Sequence, residues 1–239
     1  MKEQITIDVR GKPVTLDVIF RLVPGHILPG TDRQCSYVEI TLDEKGCRIA
    51  DWIANRRNGQ AKKKRRKVKY GQDPEATAQD DRAGAHGELA VAVLTGFSPW
   101  WSDEVNTSGA GHDPDVGSLQ VRTRKHHHYD RLLIQPDDPK DAAFIHCTTE
   151  LDSLDVVRLY GWSLGAWVQR QEFWGDHFGK GRPCFALPQV RLHDLLTLPG
   201  DGMSWVRIAE CGIEAQQLKE EQIAAKDAAD CPMFGELRQ

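Results

Sequence analysis

The sequence contains no apolar run near the roughly 20 residues that a membrane-spanning helix needs. Its first residues, MKEQITIDVR, mix charged and apolar side chains and lack the apolar core of a signal peptide. We therefore expect a cytoplasmic protein with no membrane partner. The sequence also lacks Walker-type, GxGxxG, GxSxG and HExxH motifs, so it gives no support to nucleotide hydrolysis, dinucleotide redox chemistry, serine hydrolysis or zincin-type proteolysis.

Paired cysteines are missing as well. The six cysteines are scattered, and no two of them have CxxC spacing. This pattern gives no support to a zinc ribbon or to a secreted disulfide framework, and we interpret the cysteines as reduced thiols that are mostly buried. The 239 residues and the net charge of -4 fit one or two domains with a sizeable core.

The N-terminal part has the pattern of strands followed by a helix. ITIDVRGKPVTLDVIFRLVPG alternates apolar and polar residues around Gly11-Lys12, which predicts a hairpin, and CSYVEITL predicts a third strand. Apolar residues then recur at helical intervals up to NRRNG, and Thr41 and Glu44 have capping-box spacing, so we expect a helix there. Residues 1–58 are thus predicted to form a small hairpin-plus-helix unit.

A polar segment separates this unit from the clearest helix of the sequence. Residues 59–81 are first basic and then acidic without an apolar period, which predicts a linker or mobile loop. DDRAGAHGELAVAVLTG then has acids at its start, helix formers in its middle and Gly96 as a stop signal. Because Leu89 to Leu94 are apolar nearly all round, we expect this helix to be buried.

The remaining pattern predicts an α/β fold. Strand-like runs occur at SLQVRTR, RLLIQP, AFIHCTT, VVRLYGW and CFALP, and SLGAWVQRQEF has helical character. We expect residues 82–200 to form the core, a mixed sheet flanked by helices. Residues 201–239 are predicted to add a strand and a charged helix or tail.

Four residues form the candidate site. Glu88 follows the glycine of GELAVAV and lies beside apolar helix turns. A carboxylate buried there needs a hydrogen bond, a cation or a metal ion. Asp115 stands ahead of a strand on which Gln120 and Arg122 point to the same face. A hard cation such as Mg²⁺ prefers such oxygen ligands, and it would activate water and offset charge on a phosphate under attack.

As an ordered set, several segments resemble small phage and prophage proteins of the PD-(D/E)xK nuclease-like superfamily. These segments are GELAVA, PDVGSLQVRTR, RLLIQPDDP, YGWSLGAW and CFALPQVRLH, and they lie between Arg82 and Leu195. The resemblance implies a restriction-endonuclease-like sheet and metal-dependent phosphodiester hydrolysis on DNA. It also implies that Glu88, Asp115 and Gln120 hold Mg²⁺ or Mn²⁺.

Two positions depart from the pattern of the superfamily, which leaves a degenerate D…QxR motif. Gln120 stands where the second acid of the strand motif is expected, and losing that charge weakens a site for a hard cation. Arg122 stands where the lysine is expected, and a guanidinium group, which is not deprotonated in proteins, cannot act as a general base. An inactive or altered descendant is therefore an alternative to an active nuclease.

Other interpretations of the same residues stay open. Glu88 could pair with an arginine such as Arg122, and Asp115 could be a turn-forming aspartate at a strand start. The protein would then be a catalytically inactive nucleic-acid-binding or protein-interaction module. A third possibility is a phage accessory or structural factor that binds a phage or host protein.

A dense basic block, AKKKRRKVK, lies within an otherwise balanced chain. We expect it to contact nucleic acid through phosphates, although a solvated loop is the alternative. The residues expected at a nucleic-acid interface are Lys62, Lys63, Lys64, Arg65, Arg66, Lys67, Lys69, Arg124 and Lys125. The three histidines after Lys125 favour a surface turn, and Trp100 and Trp101 are the tryptophans most suited to an exposed contact.

Overall fold

The computed structural model describes residues 2–27, 34–63, 74–99, 114–177, 181 and 183–198. Its strands are β1 (Lys2–Val9), β2 (Lys12–Ile27), β3 (Gln34–Leu42), β4 (Leu119–Arg124), β5 (Arg131–Ile134), β6 (Ala143–Glu150), β7 (Ser153–Leu164), β8 (Trp174–Gly175) and β9 (Cys184–Pro188). Its α-helices are α1 (Glu44–Lys63), α2 (Pro74–Thr95) and α3 (Gly165–Val168). None of the helices in these ranges is long and apolar enough to cross a bilayer.

The strands form a mixed sheet and a smaller sheet. The first has the order β1-β2-β3-β7-β6-β4, in which β4 and β6 are parallel and the other neighbours are antiparallel. The second has the order β5-β9-β8. The predicted α/β class with a mixed sheet is therefore confirmed. The N-terminal hairpin belongs to the larger sheet, because β3 pairs with β7 from Val38 opposite Leu159 to Thr41 opposite Val156.

The hairpin of β1 and β2 is confirmed, with its turn one residue earlier than predicted. Arg10 and Gly11 form the turn, with φ of 57° and 76°. A two-residue turn of type I′ matches the right-handed strand twist and requires positive φ at both central positions. Gly11 adopts this conformation without steric cost, whereas Arg10 does so against the preference of an L side chain.

Helix α1 differs from its prediction at both ends. The side chain of Asp43 caps it, because the Gly46 amide donates to Asp43 Oδ1 at 2.6 Å, so the capping box predicted for Thr41 and Glu44 is wrong. The helix then continues through NRRNG to Lys63. Its packing against α2 explains the extra length, since tertiary burial outweighs the low helix propensity of Asn and Gly.

The predicted linker is helical at both of its ends. Residues 59–63 belong to α1, and residues 74–81 are the first part of α2, so the linker prediction is wrong for these two stretches. Pro74 stands at the first position of α2, where its missing N–H and fixed φ are tolerated. The basic-to-acidic composition of the segment gave no sign of these helical ends.

The burial predicted for α2 is confirmed. Leu89 to Leu94 are all at most 1% exposed, and the helix ends at Gly96, whose φ is 71°. Gly87 lies where α2 crosses β4, and a Cβ atom at this position would overlap the Thr123 hydroxyl. A glycine is thus required for the close approach that brings the next residue, Glu88, towards the sheet.

The strands predicted at SLQVRTR, RLLIQP, AFIHCTT, VVRLYGW and CFALP are confirmed as β4, β5, β6, β7 and β9. The helix predicted for SLGAWVQRQEF is much shorter, since α3 covers Gly165–Val168 and a 3-10 turn covers Gln171–Phe173. Ser163 and Leu164 belong to β7 instead. The strand and charged helix predicted for residues 201–239 lie outside the described residues.

The close approach at Gly87 can be tested with a pair of glycine substitutions on α2. Gly87→Ala is expected to lower the free energy of unfolding by about 1 to 3 kcal/mol, because its Cβ would force α2 away from Thr123. Gly84→Ala on the same helix is the matched control, since its Cβ would meet nothing within 4 Å. The control should gain up to about 1 kcal/mol from helix propensity. Urea unfolding measures both, and equal effects would contradict the steric argument.

Candidate functional site

Glu88 is a buried carboxylate held by an arginine of the neighbouring helix. Its side chain is 7% exposed, and it lies on the buried part of α2. Arg57 of α1 donates from Nη1 to Oε1 at 2.7 Å and from Nη2 to Oε2 at 2.8 Å. Such a two-pronged pair is the strongest geometry for an arginine and a carboxylate. Glu88 therefore has the cationic partner that its position requires, and that partner is Arg57 rather than Arg122.

A tight turn places Asp115 at the head of β4. The Asp115 amide donates to the Leu119 carbonyl at 2.8 Å, and Asp115 Oδ2 accepts a hydrogen bond from the Val121 amide at 2.7 Å. Gly117 makes the turn possible, because its φ is 56° and a Cβ there would lie 2.9 Å from the Phe97 ring. The aspartate is thus both a turn residue and a side chain directed along β4.

Gln120 and Arg122 meet Asp115 on one face of β4, as their alternate positions predict. Arg122 Nη1 lies 3.3 Å from Gln120 Oε1 and 3.5 Å from Asp115 Oδ2. Arg122 Nη2 donates to Asp138 Oδ1 at 2.9 Å, and the guanidinium carbon lies 4.9 Å from the Phe144 ring centre. Asp138, which the sequence analysis missed, is therefore the strongest partner of Arg122.

Asp81 is a further acid that interacts electrostatically with these residues. Burial raises the pKa of Asp115 to about 7, and the Glu88 carboxylate adds to the shift, while Arg122 opposes it. Burial also raises the pKa of Asp81 to about 6 against the effect of Arg57. We call the group the acid–arginine cluster, and its members are Arg57, Asp81, Glu88, Asp115, Gln120, Arg122 and Asp138.

The cluster has the donor chemistry of a hard cation site and an excess of negative charge. Four carboxylates against two guanidinium groups leave two negative charges in excess when all are ionised. Within the described residues, no group of three or more His, Cys, Asp and Glu is spaced to hold a metal ion. Mg²⁺ needs only one or two carboxylates because it keeps several waters, so Glu88, Asp115 and the Gln120 amide oxygen fit it chemically.

The predicted nucleic-acid residues are described only in part. Lys64, Arg65, Arg66, Lys67 and Lys69 lie outside the described residues, and for Lys62 and Lys63 only the helical backbone is described.

Arg124, the last residue of β4, and Lys125, which follows it, are each held by a neighbouring side chain. The Arg124 guanidinium carbon lies 4.4 Å from the Tyr129 ring centre, and Lys125 Nζ pairs with Asp80 Oδ1 at 2.9 Å. Arg124 lies two residues after Arg122, and Asp80, the partner of Lys125, precedes Asp81, so both cations border the acid–arginine cluster. Their role in binding nucleic acid stays a prediction.

The histidines after Lys125 lie in a turn, as predicted. The rings of His126 and His128 are stacked with their centres 5.2 Å apart, and His126 Nδ1 lies 3.0 Å from Glu150 Oε2. Burial lowers the pKa of His127, which lies between them, to about 4. Trp100 and Trp101 lie outside the described residues, so their predicted exposure is untested.

Comparison with known proteins gives no match: no family model, no curated protein and no solved structure matches the chain. The likeness to the PD-(D/E)xK superfamily therefore rests on the ordered segments of the sequence and stays a prediction. The site has to be judged from its own chemistry.

The Arg57–Glu88 pair can be tested by removing each partner. Arg57→Ala is expected to cost on the order of 3 kcal/mol of unfolding free energy, because it leaves the buried Glu88 carboxylate without this cation. Adding Glu88→Gln should restore part of the loss, since the remaining group is then neutral. Arg56→Ala, at the exposed neighbouring position, should change stability by less than about 0.5 kcal/mol. Additive single effects in a double-mutant cycle would contradict the pairing.

The raised pKa of Asp115 predicts a pH dependence of stability with a defined sign. In the unfolded chain this acid ionises near its usual 3.8, so between about pH 4 and pH 7 the folded state holds a proton that the unfolded state has lost. The free energy of unfolding should therefore fall as the pH rises through this window.

Asp115→Asn removes the titration at this position and should flatten that part of the profile relative to the wild type. Asp152→Asn, at an exposed position between β6 and β7, is the matched control and should leave the profile unchanged. Chemical denaturation at several pH values measures the difference. Parallel profiles for wild type and Asp115→Asn would show that Asp115 ionises normally.

Proposed function

We propose that the protein acts on DNA as a divalent-cation-dependent phosphodiesterase of the PD-(D/E)xK type, on a restriction-endonuclease-like sheet. The observation that carries the proposal is the meeting of Asp115, Gln120 and Arg122 at the head of β4 beside the Glu88 carboxylate of α2. These are the elements and the residue order that the resemblance to that superfamily implies. The four carboxylates of the acid–arginine cluster are further support, because a bound divalent cation would neutralise the excess charge that they carry when ionised.

The residues that would hold Mg²⁺ or Mn²⁺ are Glu88, Asp115 and Gln120. When bound, such a cation supplies positive charge to a phosphate under attack and lowers the pKa of an attacking water. Arg122 is permanently protonated, so it contributes charge and hydrogen bonds to phosphate rather than proton transfer. The groups able to accept a proton beside it are the carboxylates of the cluster, above all Asp115.

A second candidate function is a catalytically inactive module that binds nucleic acid or a protein. The observation that favours it is the two-pronged Arg57–Glu88 pair, together with the bridging of Asp115 and Asp138 by Arg122. In this interpretation the guanidinium groups take the place that a cation would take in an enzyme, and the cluster only joins α1, α2 and β4. The two candidates differ in their need for a divalent ion.

Cleavage of DNA separates the two candidates. Linear duplex, single-stranded and branched DNA are incubated with Mg²⁺ or Mn²⁺, and EDTA serves as the metal-free control. The wild type should cut at least one substrate, and Asp115→Asn and Glu88→Gln should each lower the rate by more than about 100-fold, because removal of a direct ligand costs more than loss of a supporting residue. Asp152→Asn, which lies outside the cluster, should cut like the wild type.

A binding readout keeps the test informative if cleavage is slow. Mg²⁺ should raise the unfolding midpoint of the wild type and leave that of Asp115→Asn unchanged, since a ligand that binds the folded state stabilises it. If no substrate is cut, Mg²⁺ does not shift the midpoint and DNA still binds in EDTA, the phosphodiesterase proposal fails and the inactive module is supported.

A further inference from the structure

A groove of about 620 Å³ runs between the end of the N-terminal hairpin and helix α1, and we call it the Trp52 groove. Its hairpin side carries Arg10 and Lys12, and its helix side carries Lys45, Arg48 and Trp52. Valines of the hairpin and Ile49 add an apolar surface. Among the described residues that line the groove, four are cationic and none is a carboxylate.

Trp52 is nearly half exposed within this groove. Its side chain is one of the few large exposed apolar groups among the described residues, with 46% exposure. The guanidinium carbons of Arg10 and Arg56 lie 5.7 Å and 5.4 Å from its ring centre. Both guanidinium groups lie over the ring, so the half-exposed indole and its cations form one aromatic and positively charged surface.

The sequence builds this surface by helical spacing. Lys45, Arg48, Trp52 and Arg56 follow one another at intervals of three or four residues, so they share one side of α1. Glu44 pairs with Arg48 at the start of this side. Arg57 lies on a different side of α1 from Trp52, because the five positions that separate these two residues correspond to about 140° around a helix. The Trp52 groove is therefore separate from the acid–arginine cluster.

The hairpin turn contributes a second, independent feature. Arg10 is the one non-glycine residue with positive φ among the described residues, although asparagine or glycine suits this turn position better. Lys45 donates from Nζ to the Thr15 carbonyl at 2.8 Å, which holds the hairpin beside α1. The positive φ at Arg10 is unfavourable for an arginine, but the side chain places its guanidinium beside Trp52. This contact is a reason for an arginine to occupy a strained turn position.

We infer that the Trp52 groove binds single-stranded nucleic acid, with a base stacked on Trp52 and the adjoining phosphates on Arg10, Lys12 and Arg48. Proteins that bind single strands without sequence preference combine a cationic groove with aromatic side chains on which bases stack. An acidic peptide would match the charges but has no aromatic base to stack with the half-exposed indole and its guanidinium groups. The inference goes beyond the proposed function, because this surface would bind whether or not the cluster cleaves.

Binding of a fluorescent oligothymidylate in EDTA tests the inference without any cleavage. Trp52→Ala should weaken binding about 10-fold, within the range that one base–aromatic stack provides, and Trp52→Phe should recover part of the loss. Trp167→Ala is the matched control, since Trp167 is 40% exposed and lies 4.3 Å from the guanidinium of Arg170 but outside the groove. It should bind within about twofold of the wild type.

Charge variants test the phosphate contacts. Lys12→Glu should weaken binding and reduce its dependence on salt concentration, because fewer counterions are released. Lys2→Glu, at the far end of β1 from the turn, is the matched control and should have the smaller effect. Unfolding midpoints near that of the wild type would show that the variants fold.

Several outcomes would overturn the inference. If Trp52→Ala binds with wild-type affinity, the inferred stacking on Trp52 is wrong. If the wild type does not bind the oligonucleotide, the groove is not a nucleic-acid site. Polyglutamate bound as tightly as the oligonucleotide, with the same loss in Trp52→Ala, would identify an acidic-peptide surface instead. Binding is measured in EDTA, where the proposed cleavage does not occur, so failure of the proposed cleavage and failure of this inference give different results.

Discussion

The burial of Glu88 is the constraint on which the arrangement of the helices depends. A carboxylate at 7% exposure beside the apolar turns of α2 needs a cation, and Arg57 can supply it only if α1 lies against α2. Gly87 then sets the distance from α2 to β4, because any larger residue would meet Thr123. The position of Glu88 beside Asp115 follows from these two contacts. Fold and candidate site are therefore products of the same packing.

Local patterns predicted most of the strands and the burial of α2, because alternation and apolar composition are visible within a few residues. Long-range pairing was not visible in this way. Arg57 is 31 positions from Glu88 and stands in NRRNG, which looked like a helix end, so nothing in the sequence selected it over Arg122. Asp138 lies in the Pro-flanked segment QPDDP, where the sequence pattern gave no reason to select it, yet it is 8% exposed. Tertiary contacts alone decide such partners.

The acid–arginine cluster has features of both an enzyme and a structural network, and its charge explains why. Two guanidinium groups satisfy hydrogen bonds of Glu88, Asp115 and Asp138 but do not neutralise all the acids. Protonation relieves part of this excess, because burial raises the pKa of Asp115 to about 7 and that of Asp81 to about 6. A bound divalent cation would neutralise the same acids when they are ionised. The charge of the cluster is therefore compatible with both the phosphodiesterase and the inactive module, and the response to Mg²⁺ separates them.

Helix α1 links the cluster to the Trp52 groove through a single rigid element. Its inner side carries Arg57, whereas its outer side carries Lys45, Arg48 and Arg56 together with a tryptophan that is nearly half exposed. Glu44 offsets Arg48, and the guanidinium groups of Arg10 and Arg56 lie over Trp52, so part of this surface is satisfied within the chain. The described cations that line the groove still outnumber its carboxylates, which suits a polyanionic, aromatic ligand. A strand held there would lie on the opposite side of the same helix from the carboxylates, and it would have to pass around α1 or the hairpin to reach them.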